Sequence, residues 1–424
     1  MVPMSLRFSS TAAAILLCAG LTVGVRNSAP KPQGAFATGH YPNLFASQLG
    51  HSGAEINAKI DAAYEQLFHG DPQNQSVVFF TGKNANGPLA YLTDWNHHDV
   101  RTEGMSYGMM IAVQLDRKRD FDALWNWAKT YMYISDPKHP SYGYFLWSCK
   151  TDGTPNSETP APDGEEYFVM ALYFAAHRWG NGSGIYDYQA QADQLLTTMR
   201  HHPVVSGPTR FGPRTVGPEV DEPWKMIRFV PVLKFGNFTD PSYHLPAFYE
   251  LWARWGPRAD RAFWAQAAAA SRAFFPRAAN FATGLTPVYA NFDGTPHATR
   301  FPQSAIFGYD SWRTASNWSV DWSWWHKALV ERKLSDRIQA FFYQQGISNY
   351  GDVYALDGKM INGHHATGLV ATNAAASLAA TDAHAKDFVR ALWDAPIPSG
   401  QQRYYDGMLY LLNFLHCSGR FRIW

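Results

Sequence analysis

Apolar residues recur along this chain at the three-and-four spacing of amphipathic helices. Ile56, Ile60, Tyr64 and Leu67 form one face, Phe121, Leu124, Trp125, Ala128 and Met132 a second, and Tyr405, Met408, Leu409 and Leu412 a third. Similar patterning predicts helices over 104–116, 165–179, 186–201, 243–255, 259–275, 311–330, 334–345, 367–380 and 384–394, joined by loops rich in Gly, Pro and Asn. No segment sustains strand alternation, although 285–292 and 352–362 are candidates for short strands or hairpins. No linker or low-complexity tract follows residue 40, so 40–424 is expected to be one domain. About a dozen helices suit six hairpins closed into a double ring, but periodicity alone does not establish closure.

The first thirty residues read as an address. Arg7 precedes the uncharged run 12–25, which is short for a bilayer span, so 1–30 is expected to be a secretory signal cut before Pro30. Cys18 lies within it, and Leu17 before it suits a lipoprotein cleavage site poorly. The product is expected to be a secreted or periplasmic monomer with no later membrane span. Only Cys149 and Cys417 then remain, and the sequence leaves open whether they pair.

Composition narrows the partner. A formal net charge of +1 offers no basic stripe for nucleic acid or an anionic membrane. Aromatic residues reach 15%, with 16 Trp, 22 Tyr and 27 Phe. A large core absorbs many of these, but Trp and Tyr also present flat apolar faces with a polar edge, which suit sugar rings.

Three acidic residues stand at predicted helix starts: Glu103 in RTEGMSYGMM, Asp163 in PAPDGEEYF and Asp310 in GYDSWRTASNW. Each is followed by a small residue, Gly104, Gly164 or Ser311. In a closed ring of helices, starts of one polarity gather at one end. Carboxylates clustered there are what acid-catalysed cleavage of a polysaccharide needs. Taken singly, Asp163 and Asp310 also read as ordinary helix caps.

The same segments resemble family 8 glycoside hydrolases. APDGEEYFVMALYFAAHRW (161–179) is similar to that family's signature, with Ala161, Asp163, Gly164, Ala171, Ala175 and Trp179 in register; Pro162, Glu165, Phe168 and Val169 depart from it. DVRTEGMSYGMM (99–110) resembles the acid motif and GYDSWRTASNWSVDWSWW (308–325) the base motif, with Ser311 in place of Ala. The resemblance spans about 45–415. It implies an all-α (α/α)6 barrel with short β hairpins in its loops, inverting hydrolysis, Glu103 as proton donor, Asp310 as general base with Arg313 beside it, and Tyr243 holding the attacking water.

An inverting site needs one protonated and one ionised carboxyl about 6.5–9.5 Å apart. Met105, Met109 and Met110 are expected to wall Glu103 with apolar surface, favouring its neutral form, while Arg101 opposes this. Asp163 is assigned to the sugar ring at the cleavage subsite and to keeping Glu103 protonated by like-charge repulsion. Trp95, Tyr107, Trp147, Tyr309 and Trp312 are candidate sugar platforms, with core packing as the alternative for each. His97, His98 and Asp99 invite a metal reading, but adjacent loop side chains rarely converge on one ion, so neither metal nor cofactor is expected. Polar lining, with Asp99 orienting Arg101, is preferred. Asp321, about three turns along the helix begun at Asp310, is a weaker candidate base.

The PDGEEYF and SNWSVDWSWW variants resemble the xylan-active branch. Exo enzymes of that branch share a Leu-His-Pro kink whose His reads the reducing-end hydroxyl. Here His365 aligns with that His, while His364 and Ala366 replace Leu and Pro, and proline is what stiffens such a kink. Cleavage of β-1,4-xylosidic bonds, with internal cutting ahead of reducing-end release, is therefore expected. The alternatives are an endoglucanase of the same family, a non-catalytic polysaccharide-binding protein and, more remotely, a polysaccharide lyase.

Overall fold

How each helix buries its residues sorts the helices into two rings. The computed structural model describes residues 33–424; the expected signal, 1–30, lies outside the described residues. Two short helices, α1 (Ala35–Thr38) and α2 (Leu44–Leu49), lead in. Twelve follow: α3 (Gly53–His69), α4 (Thr102–Gln114), α5 (Lys118–Tyr131), α6 (Pro162–Trp179), α7 (Tyr188–His201), α8 (Pro246–Trp255), α9 (Arg261–Ala278), α10 (Trp312–Trp325), α11 (Leu329–Gln345), α12 (Thr367–Ala376), α13 (Ala385–Asp394) and α14 (Arg403–Cys417).

The even-numbered helices from α4 to α14 are buried nearly all round; every residue of α10 is. Such helices must lie inside. Their odd-numbered partners keep one buried stripe, as α13 does with Phe388, Val389 and Leu392. Inner helices pack in sequence, and α14 returns against α4. Between α6 and α8 the joint is made by side chains: Tyr167 sets its ring against Phe248 at 5.2 Å, and the Tyr249 hydroxyl meets Glu166. The result is the (α/α)6 barrel.

The predicted run 311–330 is split. His326 adopts a left-handed φ of 48°, ends α10 at Trp325, and lets the chain turn into α11.

A four-stranded antiparallel sheet, unseen in the sequence pattern, comprises β1 (Val78–Asn84), β2 (Gly87–Asp94), β3 (Asp99–Arg101) and β4 (Ser148–Lys150). Most of β1 is exposed and β3 and β4 have three residues each, so no alternation develops. Its β3 strand runs directly into α4 and so sets the approach to Glu103. The hairpin expected over 352–362 is present, pairing Val353–Tyr354 with Met360–Asn362. Over 285–292 there are only isolated bridges, from Ala290 to Thr239 and Pro296. Cys149 and Cys417 are free thiols, both buried. No helix among the described residues is long and apolar enough to cross a membrane.

Candidate active site

Glu103 is the second residue of α4 and Asp163 the second of α6; Asp310 lies in the single 3-10 turn Tyr309–Ser311 that feeds α10. Neither Glu103 nor Asp163 caps its helix. Arg101 and Ala161 hold those cap positions without a side-chain cap bond, and Pro162 supplies the preset φ of a first helical residue. The small residues after the acids have a packing reason. A Cβ on Gly164 would lie 2.4 Å from Oγ1 of Thr102, and one on Gly104 would lie 2.5 Å from the Tyr404 ring. The bare backbone lets α4, α6 and α14 touch beside the carboxylates. Tyr309 holds a left-handed φ of 49°, costly for a bulky residue, which turns the chain sharply into α10.

One guanidinium gathers the three acids. Nη1 of buried Arg313 donates to Oε2 of Glu103 at 2.9 Å, Oδ2 of Asp163 at 2.9 Å and the Tyr107 hydroxyl at 2.7 Å. Its Nη2 donates to Oγ of Ser242 at 2.9 Å and pairs with Oδ1 of Asp310 at 3.1 Å. The Tyr404 hydroxyl donates to Oε1 of Glu103 at 2.9 Å. Through one rigid fork, the bonded oxygens of Glu103 and Asp310 are at most about 8 Å apart, a bound that admits both the about 6.5–9.5 Å of inverting and the about 5–5.5 Å of retaining glycosidases.

The acids differ in surroundings. Glu103 is pushed up to about 7: burial is the main cause, Asp163 and Asp310 add to it, and Arg313 and Arg101 oppose it. Like charge therefore helps, but desolvation leads. Met105, Met109 and Met110 are fully buried in the core, where Sδ of Met105 accepts from the Leu92 amide. Asp163 is also raised, by burial and Asp310, against the pull of Arg313. The Asp310 side chain is 33% exposed, against 13% for Glu103.

Glu103 and Asp310 open on a cavity of about 710 Å³, with Arg101, Tyr309 and Trp312 also on its wall. Asp99 orients Arg101 as expected, accepting from its Nε at 3.1 Å, and Asp94 pairs with its Nη1 at 3.2 Å. Tyr309 and Trp312 stack at 5.8 Å. Trp95, Trp147, Tyr107, Asp163 and Tyr243 are not among the side chains lining this cavity. Trp147 lies under the Arg101 guanidinium at 5.7 Å, and Trp95 under that of Arg403 at 4.1 Å. Tyr107 and Asp163 bind Arg313 from below, and the Tyr243 ring lies 5.9 Å from its guanidinium carbon.

The histidine assignment shifts by one residue. His365 bonds through Nδ1 to the Tyr350 carbonyl at 2.8 Å and faces a second cavity beside α13. It is His364 that faces the catalytic cavity, its Nδ1 3.2 Å from Oδ2 of Asp352. His97 lines the cavity and pairs with Asp94 at 2.7 Å. Among the described residues, no group of His, Cys, Asp and Glu is arranged to hold a metal ion. Asp321 is buried away from the site, bound by Arg272 at 2.6 and 2.7 Å. Sequence reasoning missed Tyr404, Tyr405, Ser242, Asp352 and His364. The only signal was the YYDG run opening α14, which acquires meaning once the ring closes.

Twelve helices in a double ring, with carboxylates gathered at one end over a cavity, define a glycoside hydrolase of the (α/α)6 kind. Residues 86–419 match the sequence profile of Glycosyl hydrolases family 8, and the chain belongs to that family. A family 8 xylanase of Teredinibacter turnerae, solved with xylobiose and, as a catalytic mutant, with xylohexaose, superposes with a TM-score of 0.90 at 52% identity. That comparison covers 92% of this chain and 99% of the xylanase. The reducing-end xylose-releasing exo-oligoxylanase of Paenibacillus barcinonensis is 43% identical over 92% of this chain and 99% of its own. Endoglucanase 2 of Ruminiclostridium josui is 27% identical over 90% of this chain and 75% of its own.

Proposed function

We propose that this enzyme hydrolyses β-1,4-xylosidic bonds in xylan or its oligosaccharides with inversion. Glu103 protonates the leaving oxygen and Asp310 activates water at the opposite face of the ring. Asp163 acts from the floor at the cleavage subsite, raising Glu103, and Tyr243 positions the water. The observation that carries this is the Arg313 fork: it joins a mostly buried carboxyl, raised to about 7, to the more exposed Asp310 on the same cavity. Xylan is preferred to β-glucan because the xylan-active relatives are far more similar than the endoglucanase.

Cutting inside the chain is our reading of the mode. The segment His364-His365-Ala366 has no proline to stiffen a barrier, and the relative at 52% identity is a xylanase that accommodates xylohexaose. Reducing-end release has its own support in the exo-oligoxylanase relative and in His364 on the cavity wall. Digesting xylohexaose and following product lengths separates them: mixed short products mean internal cleavage, steady xylose release the other. Activity on carboxymethylcellulose exceeding that on xylan overturns the substrate assignment, and unimpaired turnover by Glu103→Gln or Asp310→Asn overturns the residue roles. Export, proposed from Arg7 and the run 12–25, is tested by where the activity accumulates.

A further inference from the structure

The turn Pro241–Tyr243 is gripped from several sides. Asp240 accepts from the Ser242 amide at 2.7 Å, Arg313 donates to Oγ of Ser242, and Asn317 donates to the Ser242 carbonyl at 2.7 Å. The remaining grip is on Tyr243 itself. The Tyr249 hydroxyl, on α8, lies 2.8 Å from the Tyr243 carbonyl and 2.5 Å from Oε1 of Glu166. Glu166 is fully buried on α6, three residues past Asp163 and so on the same face of that helix.

We propose that Glu166 and Tyr249 are positioning residues, forming a relay from α6 to the Tyr243 carbonyl that fixes where the Tyr243 phenol stands beside the catalytic carboxylates. The inference rests on the proposed role of Tyr243. Hydrogen counting sets the direction of the relay. A phenol has one proton, and the carbonyl of Tyr243 can only accept, so Tyr249 donates to that carbonyl. The short contact with Glu166 then needs a second proton, which the carboxylic acid supplies to the phenol oxygen. Burial, with Asp163 adding, holds Glu166 well above the usual carboxylate range even against the opposing pull of the Tyr249 bond, as this count requires. Among the described residues Oε2 of Glu166 has no hydrogen-bond partner, leaving Tyr249 as the group this acid serves. The same helix thus presents Asp163 to Arg313 and steadies the turn that carries Tyr243.

The test is a double-mutant cycle on xylohexaose hydrolysis. Tyr249→Phe and Glu166→Leu are expected to lower kcat about 10- to 100-fold with KM within about twofold, as a misplaced water-holding group would. Glu166→Gln, which keeps a donor for the phenol oxygen, is expected to stay within about threefold of wild type. In a Tyr243→Phe background, Tyr249→Phe is expected to cost less than about twofold, because there is no hydroxyl left to position. Should Glu166→Leu fail to fold, Tyr249→Phe and Glu166→Gln carry the test. A loss in Tyr243→Phe that simply multiplies with that of Tyr249→Phe, or a Glu166→Gln as poor as Glu166→Leu, overturns the relay alone. A fully active Tyr243→Phe overturns the water-holding role and the relay with it.

Discussion

Replacing Asp163 with Asn probes the electrostatics of the site with little change in shape. Glu103 and Asp163 both lie 2.9 Å from the same nitrogen of Arg313, so their bonded oxygens are within about 6 Å of each other. Two full charges at that separation repel by about 3 kcal/mol at an effective dielectric constant of about 20. Arg313, bonded to both acids, offsets part of that repulsion, so the expected effect on Glu103 is on the order of one pH unit. The sign follows from the role: a general acid must hold its proton, so activity falls as pH rises through the value of about 7 that Glu103 has in this site. Removing a like charge favours the ionised form, so the alkaline limb of kcat/KM should move down by about one unit. The assay is reducing-end release from xylohexaose between about pH 5 and 9, because kcat/KM reports groups of the free enzyme. Turnover also falls if Asp163 acts at the cleavage subsite as proposed. A slower variant whose alkaline limb stays put, or moves up, would falsify the like-charge argument.

Other perturbations reach different parts of the account. Gly164→Ala pushes a methyl against Thr102 and separates the starts of α4 and α6; we expect a loss of about 1–3 kcal/mol in denaturant unfolding and a lower kcat, and an unaltered, fully active variant contradicts this packing. Asp321→Asn leaves Arg272 short of a buried partner and should cost about 3–5 kcal/mol of stability, while kcat of the folded fraction changes little; a selective collapse of kcat instead revives Asp321 as a base. Glu219 is buried with neither oxygen hydrogen-bonded among the described residues, and burial and Glu165 hold it well above the usual range. The native state then keeps a proton that the unfolded chain releases, so stability declines as pH rises above the ordinary carboxylate range. Glu219→Gln removes that slope, so its Tm relative to wild type should improve from pH 5 to pH 8; parallel Tm profiles count against a neutral Glu219.

Much of this architecture was readable before any coordinates, because a helix long enough to bury a face must repeat its apolar residues. The α10–α11 junction was not, since Trp324, Trp325 and Leu329 continue the apolar pattern across a left-handed His326. The β1–β4 sheet escaped because β3 and β4 span three residues each, most of β1 is exposed, and β2 is buried in consecutive runs rather than at alternate positions. Glu103, Asp163 and Asp310 were legible from their places at helix starts. What joins them was less so: Tyr404 reaches Glu103 from the far end of the chain, and only ring closure brings it there. On an inner helix buried all round, nearness in sequence does not say which side chains face the cavity. In the extended segment before α12, His364 and His365 go to opposite sides, so an alignment offset of one residue exchanges the catalytic cavity for the outer one.

The two-carboxyl account meets its most direct test in the first product formed. Wild-type enzyme acting on xylohexaose, followed by proton NMR before mutarotation, should release the new reducing end as the α anomer, inverted from the β linkage. Accumulation of the β anomer from the outset would mean that Asp310 does not deliver water across the ring, and would contradict the mechanism.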